Sequence, residues 1–171
     1  NQLAKQLNVP VLVDPLSNLR FGKHGKANYI VNYDVFLRHM EAADYSAIQP
    51  SWVIRFGQFP VSKFLLNFLS ECTDAINMVV GENTRWQDPL RSAQYLIASD
   101  DEVFCEQLLN QTRSAAVGRN VINAYKNLDD ITAEKIHSAL RQKQAFFEGH
   151  LISKLLAKLA EGSFVFSSNS T

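Results

Sequence analysis

A lysine near the start of a predicted helix has the clearest capacity for binding chemistry in this 171-residue chain. Lys63 follows Trp52–Phe56, whose β-branched and aromatic residues are typical of a buried parallel strand, and a turn containing Gly57. Pro60 fits the first turn of a helix, because its missing N–H costs nothing there. At the carboxyl end of a parallel strand, helix N–H groups and the ammonium group can converge on one carboxylate or phosphate. The alternative, which spacing alone favours, is a solvated surface lysine.

Three arginines and three acids lie in or after predicted strands, and we expect that they can meet at one edge of the sheet. The arginines are Arg20, Arg55 and Arg85, and the acids are Asp14, Glu82 and Asp88. Arginine binds carboxylates through two parallel hydrogen bonds, so the arginines are a candidate anion site, with ordinary ion pairing as an equal alternative. The acids fit turn-forming or capping roles better than a general acid–base pair.

The signature motifs of several enzyme classes are absent from the sequence. It contains no Gly-x-Gly-x-x-Gly dinucleotide fingerprint, no Gly-x-x-x-x-Gly-Lys-Ser/Thr phosphate loop and no Gly-x-Ser-x-Gly nucleophile motif. No His, Cys or acidic set has the spacing of a zinc site, and His39 is expected to be an ordinary helix residue. The residues alone predict an anion-friendly domain without a self-contained catalytic apparatus.

The elements that must position these residues alternate between strands and helices. Strands are predicted at residues 9–14, 52–56, 75–82 and 95–99, and helices at residues 32–43, 60–69 and 101–117. Asp100 is a suitable N-cap for the last of these helices, and Gly118 ends it. The alternation predicts parallel β-α-β units and therefore an α/β, Rossmann-like fold with helices on both faces of the sheet.

The pattern changes after Gly118. Residues 119–130 are predicted to form a polar connection, and Thr132 is expected to cap a long helical stretch that Gly149 interrupts. A helix at residues 146–161 then leads into a strand at residues 163–168. This order predicts the first helix and strand of a following, truncated α/β domain, with a boundary between residues 142 and 146.

Composition and charge exclude several classes of partner. The chain has 17 basic and 17 acidic residues, so its net charge favours neither nucleic acid nor an anionic membrane. No apolar run is long enough to span a bilayer, and the N-terminus has no signal-peptide pattern. Cys72 and Cys105 fit small core residues of a reducing compartment better than a disulfide framework. We expect a cytoplasmic domain and, because no initiating Met is present, a fragment of a longer polypeptide.

Four motifs that span the chain in order resemble one enzyme family. They are Asp14-Pro15-Leu16-Ser17-Asn18-Leu19-Arg20, Ile54-Arg55-Phe56-Gly57-x-x-Pro60-x-Ser62-Lys63, Trp86-x-Asp88-Pro89 and Phe164-Val165-Phe166-Ser167-Ser168-Asn169-Ser170. The family is MenD, the thiamine-diphosphate-dependent 2-succinyl-5-enolpyruvyl-6-hydroxy-3-cyclohexene-1-carboxylate synthases of menaquinone biosynthesis. The last motif departs from the family at Ser168, where Gly is usual.

The resemblance implies a three-domain enzyme. Residues 1–142 would be its Rossmann-like middle domain, of the DHS-like NAD/FAD-binding type, with a linker, and residues 143–171 would begin the C-terminal thiamine-diphosphate-binding domain. The full-length enzyme would use thiamine diphosphate and Mg²⁺ or Mn²⁺ to decarboxylate 2-oxoglutarate and add the resulting carbanion equivalent to isochorismate. Active sites formed between subunits imply a homodimer or homotetramer. The fragment alone is expected neither to bind the cofactor nor to turn over substrate.

Two substrate-binding residues are carried over from the family by position. Lys63 matches a lysine on the isochorismate side of the active site, and Ser170 matches a serine that binds substrate near the cofactor. Phe64 stands where other members have Arg, which implies that a second basic contact is lost or supplied by another residue.

A function from another class stays open beside this one. The chain can instead be a regulatory or structural module in which Arg20, Arg55 and Arg85 bind an acidic aromatic metabolite and bias the assembly without touching the chemistry.

Overall fold

The computed structural model of the chain describes residues 2–20, 25, 27–82, 88–112, 119–142, 147–160 and 162–165. The helices are α1 (Gln2–Leu7), α2 (Tyr33–Arg38), α3 (Lys63–Glu71), α4 (Asp101–Gln111), α5 (Arg119–Gln142) and α6 (Glu148–Lys158). The strands are β1 (Val11–Leu12), β2 (Tyr29–Ile30), β3 (Trp52–Phe56), β4 (Ile76–Val80) and β5 (Ala93–Ile97). Short 3₁₀ turns occupy Asn18–Arg20 and Ala42–Ala47. Contacts divide the chain into two units, Asn1–Thr132 and Ala133–Thr171.

The strands of the first unit are parallel and flanked by helices, which confirms the predicted α/β fold. β1 pairs with β2, and β3, β4 and β5 form a second sheet in that order. The helix α4 packs near the end of β3, where the rings of Phe56 and Phe104 meet edge to face with centroids 6.0 Å apart. The strand β2 was not predicted, because two residues are too few to show an alternating pattern.

The turn between β3 and α3 follows the sequence signals closely. The bounds of β3 match the prediction, although its first four residues are half-buried rather than buried and Phe56 is exposed. Gly57 takes a positive φ of 66°, which favours glycine, and its N–H donates to the Val80 carbonyl at 3.0 Å. The expectation for Pro60 was wrong, because α3 begins only at Lys63, after the N-cap Ser62.

The core of the first unit lies between α2, α3 and the first half of α5. Its buried members include Ile30, Tyr33, Phe36, Leu37, Ile48, Leu65, Phe68 and Tyr125. Tyr125 donates a hydrogen bond to the Ile48 carbonyl at 3.0 Å, and the rings of Tyr45 and Phe68 meet edge to face. This packing fixes α2 and α3 against each other.

The predicted polar connection at residues 119–130 was wrong, because this segment is the first half of α5. Ile122 and Tyr125, three residues apart, are buried on one helical face. Asp129 of the same helix accepts hydrogen bonds from the N–H groups of Val31 and Asn32, at 3.0 and 2.7 Å. These contacts, together with Val121, Ala124 and Leu128 packed against the core, hold the first half of α5 in place.

Thr132 is not a helix cap, contrary to the prediction. It lies in the interior of α5, is buried, and donates its hydroxyl proton to the Leu128 carbonyl at 2.6 Å. A threonine can satisfy its hydroxyl in this way one turn back along a helix, so the residue type alone does not mark a helix start.

Several other element bounds differ from the predictions. The helix predicted at residues 32–43 is shorter, since α2 ends at Arg38 and a 3₁₀ turn follows. Asp100 caps α4 as predicted, and its carboxylate accepts from the N–H groups of Glu102 and Val103. However, α4 ends at Gln111, and residues 113–118, including Gly118, lie outside the described residues.

The second unit contains the last turns of α5 and the helix α6. Gly149 does not break a helix, because it lies in the first turn of α6. Residues 163–165 form no strand, and the remainder of the predicted strand lies outside the described residues. The domain boundary between residues 142 and 146 stays a prediction. Within the described part of the chain, no helix is long and apolar enough to cross a membrane.

Candidate functional site

The segments that follow β1 and β3 are joined just before α3, where the Val61 N–H donates to Asp14. Lys63 is the first residue of α3, and its side chain is exposed. It is preceded by Val61, which is 75% exposed, and by the N-cap Ser62. The predicted position of the lysine in the first turn of a helix is therefore confirmed, and its role in binding an anion stays a prediction.

Asp14 connects the segment after β1 to the segment before α3. Its Oδ1 accepts from the N–H of Leu16 at 2.8 Å, which is a turn-forming role of the kind expected for this acid. Its Oδ2 accepts from the Tyr33 hydroxyl at 3.3 Å and from the Val61 N–H at 3.4 Å. The carboxylate thus contacts three separate segments.

Tyr33 is buried under this edge, with only 1% of its surface exposed. Burial raises its pKa well above the ordinary value, and the nearby carboxylates of Asp14 and Asp34 raise the pKa further. Arg20 acts weakly in the opposite direction. The tyrosine therefore stays protonated and donates its hydrogen bond to Asp14 throughout the physiological pH range.

Asp34, the second residue of α2, contacts the start of α3. Its Oδ1 accepts from the Ser62 hydroxyl at 2.6 Å, and its Oδ2 lies 3.5 Å from Nη2 of Arg38. Ser62 Oγ in turn accepts from the Leu65 N–H at 3.1 Å, which satisfies one of the free N–H groups at the start of α3. Neither Asp34 nor Ser62 was predicted to be a site residue.

Arg38 supplies a second cation beside the start of α3. Its guanidinium carbon lies 4.9 Å from the centre of the Phe64 ring, a cation–π distance. The sequence implied that a basic contact absent at Phe64 is either lost or supplied by another residue, and Arg38 is a basic residue in contact with that position. No sequence signal pointed to Arg38, because the two residues meet only through the packing of α2 on α3.

Arg55 is engaged in the interior rather than at the open edge. Its Nη2 lies 3.7 Å from Oδ1 of Asp88, and the two side chains are only 11% and 3% exposed. The guanidinium also lies 5.1 Å from the centre of the Phe59 ring, while Asp88 accepts from the Ala93 N–H at 2.7 Å. Burial lowers the pKa of Arg55, and the Asp88 carboxylate partly opposes this. Arg55 therefore forms the ion pair that was weighed against an anion site.

The remaining predicted residues are only partly described. Nη1 of Arg20 donates to the Val13 carbonyl at 3.4 Å, near Asp14, and Glu82 is exposed after β4. Arg85 and Ser170 lie outside the described residues, so the prediction that the three arginines gather at one site stays a prediction. Across the part of the chain that the structure describes, no three His, Cys, Asp or Glu side chains form a group that could hold a metal ion.

Curated relatives of the chain share one name. The 2-succinyl-5-enolpyruvyl-6-hydroxy-3-cyclohexene-1-carboxylate synthases of Bacillus velezensis and Bacillus cytotoxicus are 36% and 33% identical to it, over 98% and 99% of the chain. The synthase of Geobacillus kaustophilus is 34% identical over 99% of the chain. The chain matches a segment of this synthase family. It spans 28–29% of the length of these relatives, and no protein-family model matches it.

The structure connects three of the motifs by which the sequence resembles the synthase family. Asp14 of the first motif accepts a hydrogen bond from Val61 of the second. Arg55 of the second motif pairs with Asp88 of the third. The motifs are far apart in the sequence, yet they meet around β3 and the start of α3, so this part of the chain is the candidate site.

Proposed function

We propose that this chain is the middle segment of a synthase that decarboxylates 2-oxoglutarate and adds the resulting succinyl-semialdehyde carbanion equivalent to isochorismate. The proposal is supported chiefly by the match to synthases over almost the whole chain. The meeting of three family motifs around β3 and α3 adds support, because a chance resemblance would not require those residues to touch.

Lys63 would bind the anionic substrate that the carbanion attacks. Isochorismate carries carboxylates, and the first N–H groups of a helix have no carbonyl partner within the helix. An exposed ammonium group at the first residue of α3 adds a full positive charge to the partial charge of the helix end. Ser170, which the family resemblance assigns to the same active site, would contact substrate from the following domain.

The cofactor and the assembly belong to the same proposal. Thiamine diphosphate would supply the carbon centre that stabilises the carbanion in the full-length protein, with Mg²⁺ or Mn²⁺ holding the diphosphate, in a homodimer or homotetramer. The described residues offer no set of side chains that fits the metal. No step involving the cofactor is therefore assigned to them, and their role is confined to the isochorismate side.

The test uses the full-length protein loaded with thiamine diphosphate and Mg²⁺, with product formation followed while isochorismate is titrated. Lys63→Ala should raise the KM for isochorismate by about tenfold or more, because a hydrogen bond to a charged group contributes roughly 1.5–3 kcal/mol and about 1.4 kcal/mol corresponds to a factor of ten. Lys135→Ala, an exposed lysine of α5, is the matched control and should keep the wild-type KM. An inactive, folded and cofactor-loaded wild type would overturn the synthase proposal. An active enzyme with an unchanged KM in Lys63→Ala would overturn only the role of the lysine.

The regulatory module is less well supported by the structure. It requires the guanidinium groups of Arg20, Arg55 and Arg85 to face one ligand, and that of Arg55 is paired with Asp88 in the interior. Binding an acidic aromatic ligand there would require breaking a buried ion pair, which is costly.

A further inference from the structure

We propose that Asp34 is a positioning residue for Lys63 and acts through the hydroxyl of Ser62. The inference rests on the proposed function, since it takes Lys63 to be the residue that binds isochorismate. It adds a residue from a different helix, which lies 29 positions before Lys63 in the sequence.

The hydroxyl of Ser62 uses both its donor and its acceptor capacity at the start of α3. It donates to Oδ1 of Asp34 at 2.6 Å and accepts from the N–H of Leu65 at 3.1 Å. A hydrogen bond from a hydroxyl to a carboxylate is shorter and stronger than a hydrogen bond from a hydroxyl to a neutral group. One side chain thus caps α3 and ties its first turn to α2.

Asp34 is itself held on a fixed element. It lies between Tyr33, which is 1% exposed, and the buried pair Phe36 and Leu37, so the core holds α2 in place. The second oxygen of Asp34 is 3.5 Å from Arg38, a longer contact between two largely exposed side chains. The short bond to Ser62 is therefore the stronger of the two, and the helix pair with Arg38 does not account for the position of the carboxylate.

A second, weaker contact acts on the neighbouring residue. The N–H of Val61 donates to Asp14 at 3.4 Å, and the same oxygen accepts from Tyr33 at 3.3 Å. Immediately before the lysine, Ser62 is thus tied directly to Asp34 of α2, and Val61 is tied to Asp14, which in turn binds the Tyr33 hydroxyl. A displacement of about 1 Å in a binding group can cost a large part of its effect, so this anchoring matters for Lys63.

The test compares Asp34→Ala and Asp34→Asn with wild type in the full-length, cofactor-loaded protein. Asp34→Ala should raise the KM for isochorismate about fivefold, and Asp34→Asn, which keeps an acceptor oxygen, should raise it less. The kcat and the KM for 2-oxoglutarate should stay at the wild-type values, whereas a general loss of folded enzyme would lower kcat. Glu71→Gln, at the opposite end of α3, is the matched control and should behave as wild type.

Two further measurements separate positioning from a general effect. Amide hydrogen exchange of residues 61–66 should be about tenfold faster in Asp34→Ala than in wild type. In the Lys63→Ala background, adding Asp34→Ala should change the KM for isochorismate less than twofold, because the two residues act through one contact.

The outcomes distinguish this inference from the proposed function. A wild-type KM in Asp34→Ala, together with a raised KM in Lys63→Ala, would overturn the positioning role while leaving the synthase proposal intact. In Asp34→Ala, equal rises in the KM for isochorismate and the KM for 2-oxoglutarate would also overturn the positioning role. A wild-type KM in Lys63→Ala would remove the role of the lysine and the positioning role with it. If the wild type has no synthase activity, unchanged exchange at residues 61–66 would still overturn the anchoring, and faster exchange would support it.

Discussion

Two basic residues of the same motif, Lys63 and Arg55, lie in opposite environments. Lys63 begins α3 and is exposed, next to residues held by Asp14 and Asp34. Arg55 lies within β3, is 11% exposed and is paired with Asp88. The exposed ammonium group of Lys63 can bind a ligand without breaking an ion pair with another described residue, whereas the guanidinium group of Arg55 is already paired with a carboxylate of the fold.

The difference shows that a position near a strand end does not by itself make a basic residue available. A buried guanidinium without its carboxylate would lose most of its favourable electrostatic environment, so the interior pair behaves as one unit. A surface ion pair such as Asp34–Arg38, with side chains 41% and 55% exposed, gains little from pairing because water screens it. Removing one partner of the interior ion pair should therefore lower the free energy of unfolding by a large amount, and removing one partner of the surface pair should lower it by a small amount.

The largest effect is expected from Asp88→Ala. Removing this carboxylate leaves Arg55 charged and buried and also leaves the Ala93 N–H without its acceptor, which should cost about 3 kcal/mol. The local opening free energy of β3 and β4, measured by amide hydrogen exchange in the full-length protein, checks this value. The double variant Arg55→Met with Asp88→Ala is the control and should recover part of the loss. A loss below about 0.5 kcal/mol in Asp88→Ala would remove the distinction between the two regions.

The sequence predicted β3, the turn at Gly57 and the lysine at the start of α3, because these depend on local signals. The strand has a distinctive composition, and the glycine takes the positive φ that its position requires. The first half of α5 was missed because its polar residues hide the spacing of Ile122 and Tyr125, whose burial is a tertiary effect.

The partners of the candidate residues could not be predicted in the same way. Asp34 and Ser62 are 28 residues apart, and they meet only because α2 and α3 pack together. The commitment of Arg55 to Asp88 likewise depends on how the segment before β5 returns to β3. Sequence spacing gives the position of a charged residue along its own element, but the neighbouring elements decide whether that charge is free for a ligand.

An intermediate effect is expected from Tyr33, which is buried below the exposed region. Its folded-state pKa is raised above the ordinary value of 10.0, so the folded protein keeps a proton that the unfolded chain loses. Its stabilising contribution is complete below pH 10 and is lost as the pH rises above that value, by up to about 1.4 kcal/mol per pH unit.

Tyr33→Phe should therefore make the full-length protein less sensitive to alkaline pH. The measurement is the chemical-denaturation midpoint on either side of pH 10, compared between Tyr33→Phe and wild type. Tyr95→Phe, which alters an exposed tyrosine of β5, is the matched control and should follow the wild-type curve. An alkaline loss of stability that is identical in Tyr33→Phe and wild type would show that burial below the site does not control this proton.

The smallest effect is expected from Arg38→Ala. The side chain is 55% exposed, and its contacts are a 3.5 Å pair with Asp34 and a 4.9 Å approach to the Phe64 ring. An exposed ion pair one helical turn apart contributes roughly 0.3–0.5 kcal/mol and an exposed cation–π contact roughly 0.5–1 kcal/mol, so the opening free energy of α2, measured by hydrogen exchange, should fall by only about 1 kcal/mol. The loss should shrink further at high salt, because screening already weakens the pair. A loss as large as that of Asp88→Ala would mean that Arg38 is as firmly committed to the fold as Arg55. The contrast between an open and a committed charge would then apply to Lys63 alone.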